Sequence, residues 1–369
     1  MPSLIIDNGA LNIRVGFQSN SKASLWSYNR AIKMPFTPLL DQRKDYFCGN
    51  DVEDLSSNLN VEGPIQNGRI VDWGLQFIIW NDLFERLGIY SLDDSNSKLE
   101  HQEHNLYLIT SVNYSHNCYN KIIDHIFSNY FVTKLSFGID SVNAFYSKGL
   151  KTGVVVDSGE SLTSFIPIIQ GHVDEKSIIT SGLAGSYISE QIKRLLLTDK
   201  NERITSQKQI DLIKNDCFYF SLGQDASEEK MTYTLPDGTT VDIGSERHTL
   251  LESWFRDSKD GEINMAQKLW DCVYNFDRSV RVTMFSNVLF TGGNTMFPNL
   301  EKRFKHEFNS INDKIPIGVV ENNDKLESSY MGSCVMTSLS SFENEIINKR
   351  DWEECGDSLI YRKKLLVLR

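Results

Sequence analysis

Two short apolar runs, each closed by an aspartate and a glycine, constrain this sequence more than any other feature. The first is Ser3-Leu4-Ile5-Ile6-Asp7-Asn8-Gly9; the second, about 150 residues later, is Gly153-Val154-Val155-Val156-Asp157-Ser158-Gly159. Aliphatic and β-branched runs bounded by Asp and Gly read as buried strands ending in tight turns. Each resumes as a strand-like stretch past its turn, over residues 13–17 and 162–169. A strand, a glycine turn and a returning strand make a hairpin whose backbone N–H groups can converge on a common space. Two such hairpins facing each other would hold a polyphosphate from both sides.

The remaining pattern surrounds these hairpins with helices. Apolar residues recur at three- and four-residue spacing over 73–84, and amphipathic helices are expected over 120–131 and 189–197. Residues 34–61 lack a sustained period and suit a small peripheral subdomain. A chain of 369 residues exceeds what one core usually organises, so two lobes are expected. The formal net charge of -11 argues against a broad nucleic-acid surface, because such binding depends on Lys and Arg neutralising phosphates. Contact with nucleic acid is therefore expected only through partners, and the basic stretch 362–364 is read as a solvated or docked tail. No apolar run is long enough to cross a bilayer, and the opening residues are too short an apolar stretch for a signal peptide, which points to the cytosol or nucleus. The six cysteines are widely spaced, with no C-x-x-C pair, and suggest neither a zinc site nor a disulfide scaffold.

A third element raises the information content. Asn287-Val288-Leu289-Phe290-Thr291-Gly292-Gly293-Asn294-Thr295-Met296-Phe297-Pro298 reads as a buried strand, a Gly-Gly turn and then a helix, an arrangement that lets a nucleotide approach the backbone. Together with Asp7-Asn8-Gly9 and Val156-Asp157-Ser158-Gly159, it resembles the two phosphate loops and the adenosine loop of the actin family, in the same order. Residues 64–73, 235–247, 331–342 and 351–356 resemble further actin segments, so the likeness covers nearly the whole chain. It implies an α/β, actin-like fold of the Hsp70 and hexokinase type, with two lobes around a central nucleotide cleft. The implied divisions are a small lobe over 1–142 with a peripheral subdomain at about 30–66, a large lobe over 143–330, and a C-terminal segment over 331–369 returning to the small lobe.

The resemblance also implies roles. ATP or ADP with magnesium is the family ligand, and a nucleotide-free form is the alternative. The magnesium-water ligands fall on Asp7 and Asp157, and the first-loop phosphate cation on Arg14, whose planar fork does not copy an ammonium. Gly159 and Glu160 belong to the second phosphate loop, Lys214 to the base and ribose side, and Gly185, Gly292, Gly293, Asn294, Met296 and Phe297 to the adenosine pocket. The departures fall in the same places. Ala10 and Leu11 replace a serine and a glycine, Glu160-Ser161 replaces Asp-Gly, Asp140 stands for the water-positioning glutamine, and Ser164 stands for a histidine. Inefficient hydrolysis is therefore expected, with no catalytic residue assigned. An active ATPase using Asp140 or Glu160 as base is the alternative. The charged loop 256–262 and the shortened segment 36–44 imply a chain that does not self-polymerise. Residues 36–59 and 256–262 are the expected partner-facing regions. Asp7 to Asn12, 71–80 and 291–294 are closest to the actin-related protein six class, nuclear subunits of histone-variant-exchange remodelling complexes. The uninterrupted Leu235-Pro236-Asp237-Gly238 segment departs from that class. A cytoskeletal relative, including a dynactin pointed-end type, is the other reading.

Overall fold

The computed structural model describes residues 3–33, 46–52, 61–89, 104–198, 206–223, 230–256, 264–312 and 314–363. The segment 36–44, the loop 257–262 and the end of the basic tail lie outside these residues. The described chain falls into two compact units: one holds the residues up to Leu150 and from Glu327 onward, the other holds Lys151–Leu326.

In the first unit a six-stranded sheet runs in the order Ile347–Asn348, Val132–Ile139, His104–Thr110, Leu4–Asn8, Asn12–Phe17, Leu25–Tyr28. Leu4–Asn8 pairs antiparallel with Asn12–Phe17 and parallel with His104–Thr110, so it is a central strand. All five of its residues are buried. Both faces are covered, which explains the unbroken apolar run where a half-exposed strand would alternate. Leu4 and Ile6 join a cluster with Leu75, Ile79, Trp80, Ile122 and Ile126, whereas Ile5 packs with Tyr107, Ile109, Tyr330 and Phe342 on the other face.

The second unit repeats the plan. Gly153–Ser158 pairs antiparallel with Thr163–Ile169 and parallel with Val288–Thr291. His172–Val173 and Ile179–Ser181 both pair with Thr163–Ile169. Val154, Val156, Phe165, Val288 and Phe290 pack with Ile188, Ile192, Ile213, Leu269 and Phe304. Burying such an aliphatic side chain completely contributes about 1.5–3 kcal/mol.

The helix expected over 73–84 is Trp73–Arg86, started by Asp72, whose Oδ1 accepts from the Leu75 N–H at 2.9 Å. The other two begin earlier than periodicity indicates, at His116–Asn129 and Gly185–Thr198. The second of these starts at Gly185 because its first N–H groups find loop acceptors: Gly185 donates to the Gly159 carbonyl and Ser186 to the Glu160 carbonyl. The Gly-Gly turn does not open directly into a helix. A 3-10 turn, Gly293–Met296, intervenes, and Leu300–Ile311 follows Asn299, which sits at φ 66°.

The unit boundaries also differ from the expected 142/143 and 330/331. Helix Asp140–Tyr146 packs on Ser328–Ser338 inside the first unit, where Asn143 Nδ2 donates to Ser333 Oγ at 3.0 Å and Tyr107 OH donates to Asn143 Oδ1 at 3.1 Å. Of the peripheral subdomain, the described part includes the pair Ala31–Lys33 and Tyr46–Cys48. No helix among the described residues is long and apolar enough to cross a membrane.

Candidate functional site

The two hairpins place equivalent groups at the ends of equivalent strands. In the first, Gly9 N–H closes the turn on the Asn12 carbonyl at 3.1 Å, and a Cβ at Gly9 would lie 2.6 Å from that oxygen. Asp7 stands opposite Arg14, and residues directly opposite on an antiparallel pair share a face. Arg14 Nη1 donates to Asp7 Oδ2 at 2.8 Å, while its guanidinium lies 4.5 Å from the centre of the Trp26 ring. Burial pushes the Asp7 carboxyl up, Arg14 pulls it down, and burial prevails. The first-loop cation is thus engaged by the aspartate beside it.

Beneath this turn lies an amide network that sequence reasoning missed. Gln76 and Asn29 are fully buried. Gln76 Nε2 donates to Asn8 Oδ1 at 3.4 Å and to Asn29 Oδ1 at 3.2 Å; Asn29 Nδ2 donates to the Gly9 carbonyl at 2.9 Å; Trp80 Nε1 donates to Asn8 Oδ1 at 3.0 Å. Buried amides persist where their hydrogen bonds are met. This network ties the Asp7-Asn8-Gly9 turn to helix Trp73–Arg86. The signal was a lone glutamine in the apolar stripe of that helix.

In the second hairpin Asp157 stands opposite Ser164, and Ser158 opposite Thr163. Ser158 Oγ and Thr163 Oγ1 are 2.7 Å apart, and Thr163 Oγ1 donates to the Leu183 carbonyl at 2.7 Å. Asn294 is turned inward, its Nδ2 donating to Ser158 Oγ at 3.1 Å and to the Gly159 carbonyl at 2.7 Å. The parallel neighbour brings Thr291 beside Asp157, and Gly292 follows at φ 89°. A Cβ there would lie 2.4 Å from the Ser158 carbonyl oxygen and 2.6 Å from Asp157 Oδ1, so both conformation and space require glycine. Lys325, another residue missed, secures the turn: its carbonyl accepts from Gly292 N–H at 3.2 Å and Thr291 Oγ1 at 2.9 Å, and its Nζ donates to the Thr295 carbonyl at 2.8 Å. No motif in the sequence pointed to it.

Lys214 is buried on helix Gln207–Cys217. Its Nζ reaches Ser189 Oγ at 2.9 Å, Asp211 Oδ1 at 3.3 Å and Glu160 Oε2 at 3.4 Å. Gly185 meets the same carboxylate, because a Cβ there would lie 2.4 Å from Glu160 Oε2. Phe297 is packed against Phe220 in the core, whereas Met296 is 53% exposed. At Gly159 and Gly293 a side chain would make only ordinary van der Waals contact. A Cβ would meet nothing closer than the Leu162 carbonyl oxygen at 3.8 Å and Leu326 Cδ2 at 3.9 Å respectively.

The hairpins, the parallel strand beside each, and the glycine turns agree with the comparison by sequence, which matches the family model described as Actin over residues 1–218 and 203–365. The chain belongs to the actin family. Its mixed sheets and helices form an actin-like α/β fold. Actin-family proteins typically bind ATP or ADP with magnesium. In this actin-family chain the donor types suit such a ligand in part: each unit offers a strand-end carboxylate, and the glycine turns of the second unit carry no side chain beside Asp157. Asn294, Phe297 and Lys214 are instead engaged within the second unit. Asp140 begins helix Asp140–Tyr146 at the end of a strand of the Asp7 sheet, with its Oδ1 accepting from the Ser141 N–H at 2.6 Å. Ser164 is buried, 4% exposed, on the strand facing Asp157.

Proposed function

We propose that this actin-family chain is a structural subunit that holds ATP or ADP with magnesium, turns it over little, and does not form filaments of its own. Within the second unit Asp157 would hold the ion through water and the turns at Gly159, Gly292 and Gly293 would approach the nucleotide; Asp7 is the carboxylate that the family resemblance assigns the same role in the first unit. The ion, when bound, neutralises charge on the phosphate oxygens. One observation carries the reading: the residue across the hairpin from Asp157 is the buried Ser164, where the family resemblance calls for histidine. A serine hydroxyl does not exchange a proton near neutral pH as an imidazole does. Ala10 and Leu11 also offer no side-chain hydroxyl at the first turn. The assembly favoured is a nuclear histone-variant-exchange remodeller, on the resemblance of the first loop and of residues 71–80.

Thermal melts with and without Mg-ATP test the ligand. Binding to the native state alone adds RT ln(1 + [L]/Kd), about 2.7 kcal/mol at a hundredfold excess over Kd. The melt should move upward, Asp157→Ala should abolish the movement, and phosphate release should stay near background. A full shift retained in Asp157→Ala would misplace the site, and brisk release would make the chain an ATPase. Purification from nuclear and cytoplasmic extracts, read by mass spectrometry, tests the assembly. Remodeller subunits support the proposal, whereas dynactin chains would replace it with the cytoskeletal reading.

A further inference from the structure

We infer that the side chain of Asn50 closes the outer edge of the six-stranded sheet, and that without it this edge takes a strand from a second copy of the chain. The inference stands apart from the nucleotide-holding reading. Strand Leu25–Tyr28 ends the sheet, and among the described residues no strand pairs with its outer side. Asn29 N–H donates inward to the Leu11 carbonyl at 2.8 Å, so by the alternation of an antiparallel pair the backbone groups of Trp26 and Tyr28 face outward. Asn50 meets one group of each: its Nδ2 donates to the Trp26 carbonyl at 3.0 Å, and its Oδ1 accepts from Tyr28 N–H at 3.2 Å. A carbonyl and an N–H two residues apart are the pair that one residue of a parallel neighbour would take, so the amide stands in for a strand residue.

The chain before Asn50 brings it to the edge. Strand Tyr46–Cys48 pairs antiparallel with Ala31–Lys33, and Gly49 carries the pairing one step further, its N–H donating to the Arg30 carbonyl at 3.1 Å. There the backbone turns at φ 61°, and a Cβ on Gly49 would lie 2.4 Å from Ser27 Oγ, so conformation and space both favour glycine. Asp51 holds the turn from another side, since Arg86 Nη2 on helix Trp73–Arg86 donates to its Oδ2 at 2.7 Å. Asn50 itself is exposed, so its two hydrogen bonds compete with water and add little to stability. Their effect is to occupy groups that another strand would use. Residues Ala23-Ser24-Leu25-Trp26-Ser27-Tyr28-Asn29 contain neither a charge nor a proline, the residues that commonly keep sheet edges apart. Two copies meeting along this stretch would feel no charge repulsion from it, which makes a second copy the occupant of an opened edge.

Amide hydrogen exchange and sedimentation velocity on the full chain test this, in the unaltered protein, in Asn50→Ala and in Asn50→Lys. Both variants lose the amide, but the lysine sets a charge at the edge. In dilute solution the Tyr28 amide should exchange at least tenfold faster in both variants than in the unaltered chain. As concentration rises, Asn50→Ala should form larger species and its Tyr28 amide should regain protection, while Asn50→Lys and the unaltered chain do neither. Melting temperatures of the two variants should match, so that a loss of stability common to both does not account for the difference. If Asn50→Ala precipitates, a precipitate that binds thioflavin beside a soluble Asn50→Lys supports the inference, and one that does not bind it overturns it. A monomeric Asn50→Ala at every concentration, equal self-association of the two variants, or a Tyr28 amide that exchanges freely in the unaltered chain also overturns it.

Discussion

At the scale of residues, the two strand-end aspartates show how one exchange across a hairpin redirects chemistry. Asp7 faces a guanidinium and Asp157 faces a hydroxyl, although both occupy the same place in the same strand pattern. Sequence identified both carboxylates and their opposing residues, but it could not show that Arg14 is held on Asp7. His125 offers a second example, with a pH consequence. It lies flat on Phe77, ring centroids 3.7 Å apart and planes 5° apart, and burial pushes its pKa down to about 4. The unfolded chain protonates such a histidine near its ordinary value of about 6.5, while the folded chain resists until about pH 4. Its contribution to stability is complete above the unfolded value and is lost as pH falls through that window. The melting temperature of the unaltered chain should therefore drop more between pH 6.5 and 4 than that of His125→Phe. Asp7 acts with the opposite sign, since its raised pKa favours the folded state when protonated, so the comparison must be between those two proteins. Parallel curves would show that His125 is not the group responsible.

At the scale of elements, periodicity located the helices and tertiary partners fixed their ends. Helix Gly185–Thr198 begins four residues before its amphipathic stretch because loop carbonyls accept its first N–H groups, a contact between segments remote in sequence. The helix pair Asp140–Tyr146 and Ser328–Ser338 makes the same point through a glycine. Gly332 belonged to a recognisable segment, yet its physical role emerges only where a Cβ would lie 1.7 Å from the Asn143 carbonyl oxygen. Gly332→Ala should destabilise the fold by about 1–3 kcal/mol through overpacking, read as a lower denaturant midpoint. Gly182→Ala is the control, since nothing lies within 4 Å of a Cβ there, and exposed changes of this kind usually stay within about 0.5 kcal/mol. Equal midpoints for the two variants would show that the helices separate at little cost.

At the scale of the whole molecule, the proposal of a non-polymerising subunit makes a direct demand. The purified chain should remain monomeric in magnesium and salt at concentrations where actin assembles, as read by sedimentation velocity, and ordered filaments in the pellet would refute it. The argument for that outcome comes from the charge of residues 256–262 and the short segment 36–44. The sequence by itself determined the actin family, the hairpins and the glycine turns, because these depend on local runs of apolar residues and on the few residue types that fit tight turns. It also named the strand-end carboxylates, whose position follows from counting along a strand. Only the tertiary structure decided which candidates are engaged internally: Asn294 turned onto Ser158, Phe297 packed in the core, and Lys214 held by Glu160. Those outcomes depend on side chains far apart in sequence meeting in a poorly solvated interior, where an available partner is worth more than any local preference.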